Sequence, residues 1–578
     1  MGTKYIITVR VLLSAVTIFI GTSAVASNWL FKNGKSQYQI VVATDASVSE
    51  HTAAQELQDY LFQISGVLMP IISNGDSPGK HIFVGYSSKV ANLTGESRPV
   101  EDDESFTYRS VGHDLLIWGG KQRGTMYGVF SFLERELGVH WLAPDCTVVP
   151  KCLKWRFARL YHSESPALKF RYNYYFVTRN QPVWSAHVKE NMRGPLTNEY
   201  GNMDGYWGCH TMGQLIPVSE FYQRHPEYFC LRDGKRLSKN EQLCLSNSEV
   251  LEICKERLLN VIREKPGYRI YDLSQNDNKN FCQCEKCKEI ENQYGGHSGL
   301  IVWFVNQVAD AVREEFPDKY VGTFAYQYSR KPPVGIVPQE NVVIRLCSIE
   351  CCFAHSLTAD CPQNVEFMND LQGWASTAPH LFIWDYIVDF KQFLAPWPNF
   401  QVLAPNIRTF SANKAIGVFE EAAYQSLGGE FEEMKSWTVN QLLWNPNQCT
   451  DSLVNIFIDG YYGKAASRVL DYYHLCQSLV MPEVHFGLFI RENDKIYNDD
   501  FLRKAFVLLD EAQKSAENEV ISQRVERVRM QPLYLYCMRN KEQSQQDGKW
   551  KELIALMRKY NARPNETQTV EDLSPLSK

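Results

Sequence analysis

Between residues 166 and 450 one pattern recurs: a short apolar run ends in polar, acidic or aromatic residues, and helical stretches lie between several such runs. The runs are FRYNYY (170–175), YRIYDLSQND (268–277), YVGTFAYQ (320–327), VVIRLCSIE (342–350), HLFIWDY (380–386) and AIGVFEE (415–421). The region around YWGCHTM (206–212) supplies another. Runs of this length, rich in β-branched and aromatic residues, read as strands. The clearest helix covers 300–316, where Ile301, Phe304, Val305, Val308 and Val312 share a face before Pro317 stops it. Alternation of this kind predicts a (β/α)8 barrel over 160–450, resembling a TIM barrel. The eighth strand has no clear counterpart in the sequence.

Flanking segments have other rhythms. In 27–155, strands at 38–44, 81–85 and 114–120 and helices at 47–65 and 124–137 predict a small α/β sandwich. It groups no titratable residues and reads as an accessory domain. Residues 451–562 are amphipathic and predict a helical C-terminal region, and 563–578 read as a flexible tail. Residues 1–26 read as a signal peptide. Lys4 and Arg10 flank an apolar stretch that closes on the small-x-small site Ala24-Val25-Ala26. Export to a periplasm or the cell exterior is expected, and no later segment has the length of a transmembrane helix. The net charge of −6 argues against nucleic acid as a partner.

If the barrel forms, the carboxyl ends of its strands make the active face. Four runs end in acids: Asp277, Glu350, Asp385 and Glu420, with Glu421 beside the last. Desolvating a carboxylate is costly without a partner or a purpose. Several on one rim suggest glycoside hydrolysis, which commonly uses two carboxyl groups in different protonation states. The ordinary alternative is that each acid caps a helix or pairs with an arginine. Glu350 is the favoured general acid, because burial behind an apolar strand would raise its pKa. His355 is a candidate neighbour for it, or a satisfied structural histidine.

The sixteen cysteines include the cluster FCQCEKC, where Cys282, Cys284 and Cys287 offer three soft ligands. A structural zinc is one reading, with Cys209, His210 or Cys230 as candidates for the fourth ligand. Cysteines that brace a loop without metal are the other. No cofactor is required for the chemistry.

Several stretches resemble a known family. HPEYFCLRDGKR (225–236), SQNDNKNFCQCEKC (274–287), GTFAYQYSRKPP (322–333), IRLCSIECCFAHSL (344–357), IWDYIVDF (383–390) and LLWNP (442–446) look like the domain of unknown function 4838, part of which is glycoside hydrolase family 163. KQRGTMYGVFSFLERELGVHWLAPD (121–145) resembles the domain that precedes family 20 and family 67 glycosidase barrels. The resemblance implies an endo-β-N-acetylglucosaminidase that cuts the chitobiose core of N-glycans on glycoproteins by substrate-assisted retention. One acid protonates the leaving oxygen, the substrate's acetamido oxygen attacks, and a second carboxylate polarises the acetamide. Carried over, Glu350 in SIECCFAH is the acid/base, and Asp277 in SQND and Asp385 in IWDY are candidates for the polariser, with Glu420 as a further acid. Asn276, Tyr326, Tyr328, Trp384, Tyr386, Trp207 and His210 are candidate sugar contacts, as is His355; core packing is the alternative for each ring. Two other readings compete: an exo-acting hexosaminidase or α-glucuronidase-like enzyme, and a non-catalytic glycan-binding protein.

Overall fold

In the computed structural model, residues 28–73, 75–192, 198–202 and 204–573 are described. The expected leader, 1–26, and the end of the expected tail, 574–578, lie outside the described residues.

Near the N-terminus, Tyr38–Val42, Lys80–Val84 and Asp114–Gly119 run parallel in a six-stranded sheet. Ile71–Ile72 forms one edge, and Phe106–Val111 and Tyr161–Glu164 add antiparallel strands at the other. Alternation sorts the side chains. Ile40, Val42, Ile82, Val84, Leu115 and Ile117 join the main core with helices Val48–Ser65 and Gly124–Leu137. Val41, Phe83, Leu116 and Trp118 form a separate small core on the other face. The first helix is fixed at both ends: Ser47 and Glu50 close a capping box, and Gly66 stops it at φ 73°.

The second sheet has seven strands, which we label β1 (Phe170–Asn173), β2 (Gly205–Trp207), β3 (Tyr268–Asp272), β4 (Tyr320–Ala325), β5 (Val342–Cys347), β6 (His380–Tyr386) and β7 (Ala415–Glu421). All pairings are parallel, in the order β1-β7-β6-β5-β4-β3-β2. Phe170, Ile270, Val343, Phe382 and Phe419 point inward and pack on one another, so the sheet is curled as in a TIM-like barrel. Gly417 makes room for these rings; a Cβ there would lie 2.6 Å from the Cβ of Phe170 and from the ring of Phe382. The expected eight-stranded closure is not formed among the described residues. β1 and β2 are the free edges, and Met192, from the chain between them, fills the lumen at the gap.

A buried ionic network seals that gap and joins the two sheets. Glu104, ahead of the strand Phe106–Val111, accepts from Arg123 Nε and from Arg171 Nη2 of β1, both at 2.6 Å. Asn191 Nδ2 donates to the same carboxylate at 2.9 Å, and Arg123 also reaches Asp204 at 2.7 Å. Burial alone would raise the Glu104 pKa, but the two guanidiniums hold it below the usual range.

After β7 come helices Glu432–Trp444, Thr450–Tyr462, Ala466–Gln477, Asp499–Ser515, Glu519–Arg539 and Lys549–Lys559. Two segments depart from expectation. Residues 478–498, inside the region 451–562 expected to be mainly helical, hold no regular helix. Residues 563–573 are seated rather than loose: Phe393 N–H donates to Pro564 O at 2.8 Å, and Arg563 N–H donates to Ser426 Oγ at 3.0 Å. Asn565, which is buried, turns the chain there by accepting from the N–H groups of Thr567 and Gln568. No helix of the described residues is long and apolar enough to cross a membrane.

Removing one partner of a buried ion pair strands the other charge in low dielectric. Glu104→Ala is therefore expected to cost about 3–5 kcal/mol. Urea unfolding followed by tryptophan fluorescence checks this; a midpoint equal to wild type would mean that the network does not hold the sheets together.

Candidate active site

A cavity of about 610 Å³ opens at the carboxyl ends of the strands. Its volume lies in the range of ligand-binding clefts. Trp384 and Tyr386 of β6 and Glu421 of β7 reach it, because residues two apart on a strand share a face. Phe324 of β4 and Cys347 of β5 line it further, with Tyr326, Gln327 and Ile349 just beyond those strands. Cys209 and His210 come from the turn after β2, Asp277 from the loop after β3, and Phe390 from the loop after β6. Leu488 and Phe489 are delivered by the irregular segment 478–498, and Glu566 by the seated segment 563–573.

Three carboxyl groups therefore meet in one cavity: Asp277, Glu421 and Glu566. Burial pushes Glu421 up to about 7. Trp384 Nε1–H donates to its Oε2 at 2.7 Å and works against that rise, as does the charge of Arg345. The charges of Glu566 and Asp277 reinforce it. Asp277 is more exposed and accepts from the Tyr326 hydroxyl at 3.1 Å; Gln327 Nε2–H in turn donates to that hydroxyl at 2.8 Å. His210 Nδ1 lies 2.6 Å from Gln275 O, which assigns the proton to Nδ1 and leaves Nε2 as an acceptor in the neutral ring. His210 and Gln327 both hold left-handed backbones, at φ 53° and 52°, a strain that collects at functional sites.

Of the expected acids, only Asp277 lines the cavity. Asp385 and Glu420 are buried on the opposite face of the sheet, side by side in register. Strand parity is the reason: Trp384, Tyr386 and Glu421 point inward, so Asp385 and Glu420 point outward. Ser348 Oγ donates to Asp385 Oδ1 at 2.5 Å, and Glu420 has no hydrogen-bond partner among the described residues. Burial raises the pKa of both. Glu350 does not have the expected burial. β5 ends at Cys347, and the turn that follows leaves the Glu350 side chain 43% exposed and ion-paired to Arg330 Nη1 at 3.0 Å. Arg330 also binds Asp370 at 2.7 Å.

The expected sugar contacts divide similarly. Tyr326, Trp384, Tyr386 and His210 line the cavity. Tyr328 packs on Phe281 and His297, and Trp207 on Tyr271. Asn276 is a loop brace, accepting from Gly213 N–H and donating to Glu241 O. His355 belongs to a cysteine–histidine cluster away from the lining. Residues that sequence reasoning missed include Glu421, which shares the inward face of β7 with Phe419 two positions before it. Phe489 and Glu566 were hidden in segments read as helix and tail. Residues 485–490 alternate exposed and buried with period two, and that extended signature was legible in HFGLFI.

Behind Asp277, the sulfurs of Cys244, Cys282, Cys284 and Cys287 all lie within 4.8 Å of one another. Cys244 Sγ is 3.6 Å from Cys284 Sγ and 3.9 Å from Cys287 Sγ. Four thiolates around zinc at 2.3 Å would be separated by about 3.8 Å, so the donor set fits that ion. The fourth cysteine is Cys244. The candidates Cys209 and His210 face the cavity, and Cys230 accepts from Gln242 N–H instead.

Comparison with known proteins agrees with this architecture. The structure is similar to a family GH115 4-O-methyl-α-glucuronidase, BtGH115A, with specificity for decorated arabinogalactans, at 12% identity and a TM-score of 0.57, covering 92% of this chain and 77% of that one. It is also similar to CpGH84D, at 11% identity and a TM-score of 0.50, covering 95% and 97% of the two chains. The fold is thus one found among glycoside hydrolases. A probable alpha-glucuronidase A of Neosartorya fischeri is 31% identical over 97 residues, which span 16% of this chain and 12% of that protein. Residues 141–474, more than half of the chain, match the family described as domain of unknown function DUF4838, and the chain belongs to that family.

Proposed function

We propose that this protein is a retaining glycoside hydrolase, an endo-β-N-acetylglucosaminidase acting after export on the chitobiose core of N-glycans. The observation that carries the reading is the pairing of Glu421 with Asp277 in one aromatic-lined cavity at the carboxyl ends of barrel strands. A carboxyl group titrating at about 7 is still substantially protonated at neutral pH, as a general acid must be. Glu421 protonates the glycosidic oxygen as that bond breaks. The substrate's acetamido oxygen closes on the anomeric carbon, while Asp277, oriented by the Tyr326 hydroxyl, accepts the acetamide N–H and stabilises the developing positive charge. Water then opens the cyclic intermediate, and Glu421 takes the proton back. Trp384, Tyr386 and Phe489 offer faces for sugar rings.

Similarity to α-glucuronidases raises a second reading, that of an enzyme for an acidic sugar. The lining argues against it. Three carboxyl groups and no lysine or arginine occur among the described lining residues, so an anionic uronate would meet like charge. A neutral N-acetylated sugar suits this cavity better. In the same proposal, Cys244, Cys282, Cys284 and Cys287 hold a structural zinc that fixes the loop bearing Asp277.

Mass spectrometry of glycans released from a complex-type glycoprotein tests the reaction. The expected product ends in a single core N-acetylglucosamine, with its partner left on the protein; release of monosaccharides alone would favour an exo-enzyme. Glu421→Gln is expected to lower turnover by about a hundredfold or more, whereas Glu350→Gln leaves it within about tenfold. Because the acid must carry its proton, kcat/KM is expected to fall as pH rises through about 7. Glu566→Gln removes a neighbouring negative charge and moves that limb to lower pH; an unmoved limb would mean that another group is the acid. Zinc analysis of the purified chain should find bound zinc, one equivalent of which Cys244→Ser removes.

A further inference from the structure

A second cluster of soft donors lies outside the cavity lining. Cys352, His355 and Cys361 belong to the loop that follows β5, and His485 to the extended segment 485–490. One donor atom from each lies within 4.8 Å of every other. Cys352 Sγ is 3.6 Å from Nδ1 of both His355 and His485, and Cys361 Sγ is 3.5 Å from His485 Nδ1.

Hydrogen bonding serves this set poorly. A thiol is a weak donor and a weak acceptor, yet Cys352 Sγ meets two imidazole nitrogens. Nδ1 of His485 has one lone pair or one proton, yet it meets two sulfurs. A cation at the centre satisfies all four donors at once. With zinc–sulfur bonds of 2.3 Å and zinc–nitrogen bonds near 2.05 Å, a tetrahedral site has sulfur–nitrogen edges of about 3.6 Å, which are the distances observed. Burial raises the Cys352 thiol pKa, and the nearby backbone N–H groups of Phe486, Ala354 and His355 oppose that rise. Buried Asn364 braces the loop, accepting from Cys352 N–H at 2.8 Å and donating to Cys352 O and His355 O, both at 3.2 Å. Such outer partners orient ligands and tune their affinity.

We propose that Cys352, His355, Cys361 and His485 form a Cys2His2 site for a structural zinc ion, which staples segment 485–490 to the loop after β5. Three ligands lie within ten residues, and the fourth comes from more than a hundred residues further on. The ion thus closes a long loop, the arrangement in which a cross-link restricts the unfolded chain most. Two main-chain bonds extend the staple: Phe353 N–H donates to Phe486 O and Phe390 N–H to Leu488 O, both at 2.9 Å. Along the extended segment His485 reaches the cluster, whereas Leu488 and Phe489 reach the cavity. The ion therefore fixes a wall of the cavity without touching what the cavity binds.

The test uses the full mature chain, produced in zinc-supplemented medium and dialysed without chelator. Elemental analysis should find two zinc ions per chain. His485→Ala, at an exposed position, should hold one, and so should Cys352→Ser. After unfolding in chelator without reductant, all sixteen cysteines should react with a thiol reagent. Should a variant misfold, cobalt(II) bound to the wild-type chain gives an independent reading, because an S2N2 site and an S4 site have different ligand-to-metal and d–d bands; both sets are expected. A single zinc that Cys244→Ser removes and His485→Ala leaves would overturn the proposal, as would a Cys352–Cys361 disulfide or a cobalt spectrum of S4 type alone.

Discussion

The barrel is organised around one buried cation. Arg345 of β5 points into the lumen, where its guanidinium lies 4.3 Å from the ring centroids of Tyr206 and Trp384, 4.7 Å from Phe419 and 5.2 Å from Phe382. Its Nε finds no hydrogen-bond acceptor among the described residues, so the ring faces take over much of what water would supply. Compensating charge comes from Asp272 of β3, which is buried and accepts from Tyr206, Thr211 and Ser274. Burial raises the pKa of that carboxyl, and the Ser274 and Thr211 hydrogen bonds and the Arg345 charge oppose the rise. An arginine inside an apolar strand reads as an anomaly in one dimension. In three dimensions it is the centre on which five strands converge.

This arrangement sets the floor of the cavity and the orientation of its main ring. Trp384 lies over Arg345 on one side, and its indole N–H is committed to Glu421. With both faces of its environment specified, the indole has little freedom to turn, and it presents a preorganised surface to whatever enters above. Arg345 also opposes the rise in the Glu421 pKa, whereas Glu566 reinforces it. The protonation state of Glu421 is therefore a balance struck between the barrel interior and a residue from the far end of the chain. A fold that seats 563–573 on the barrel loops puts both within reach of one carboxyl group.

Strand positions were legible in the sequence because buried strands are short, apolar and bounded, and all seven runs formed. Side-chain direction was less legible. A run ending in two acids, such as FEE, gives no end-on signal to choose between them; the choice follows only when the ring-bearing positions are assigned to the lumen, which makes Glu421 the inward residue. Glu350 misled for a different reason. Strand length was read from apolar character through Ile349, but pairing stops at Cys347, and the turn beyond it hands the glutamate to Arg330. The closure of the barrel was not legible either. Whether β1 and β2 meet depends on what lies between them, and there Met192 and the Glu104 network occupy the gap.

Long-range contributions were the least legible part of the site. Asp277, Phe489 and Glu566 all sit on irregular chain, which has neither a helical nor a sheet ladder to hold it, so each position depends on contacts distant in sequence. For Glu566 these are the main-chain bond from Phe393 and the turn at Asn565. For Asp277 they include the cysteine cluster that begins five residues on, whose fourth member, Cys244, lies on the far side of a helix in sequence. For Phe489 they are the bonds that lay 485–490 across the loops after β5 and β6. Loops that carry chemistry on a barrel must be ordered without being packed into its core, because a buried loop leaves backbone groups unsatisfied. Clusters of soft side chains near such loops suit that requirement, because they lie outside the cavity and leave its lining free.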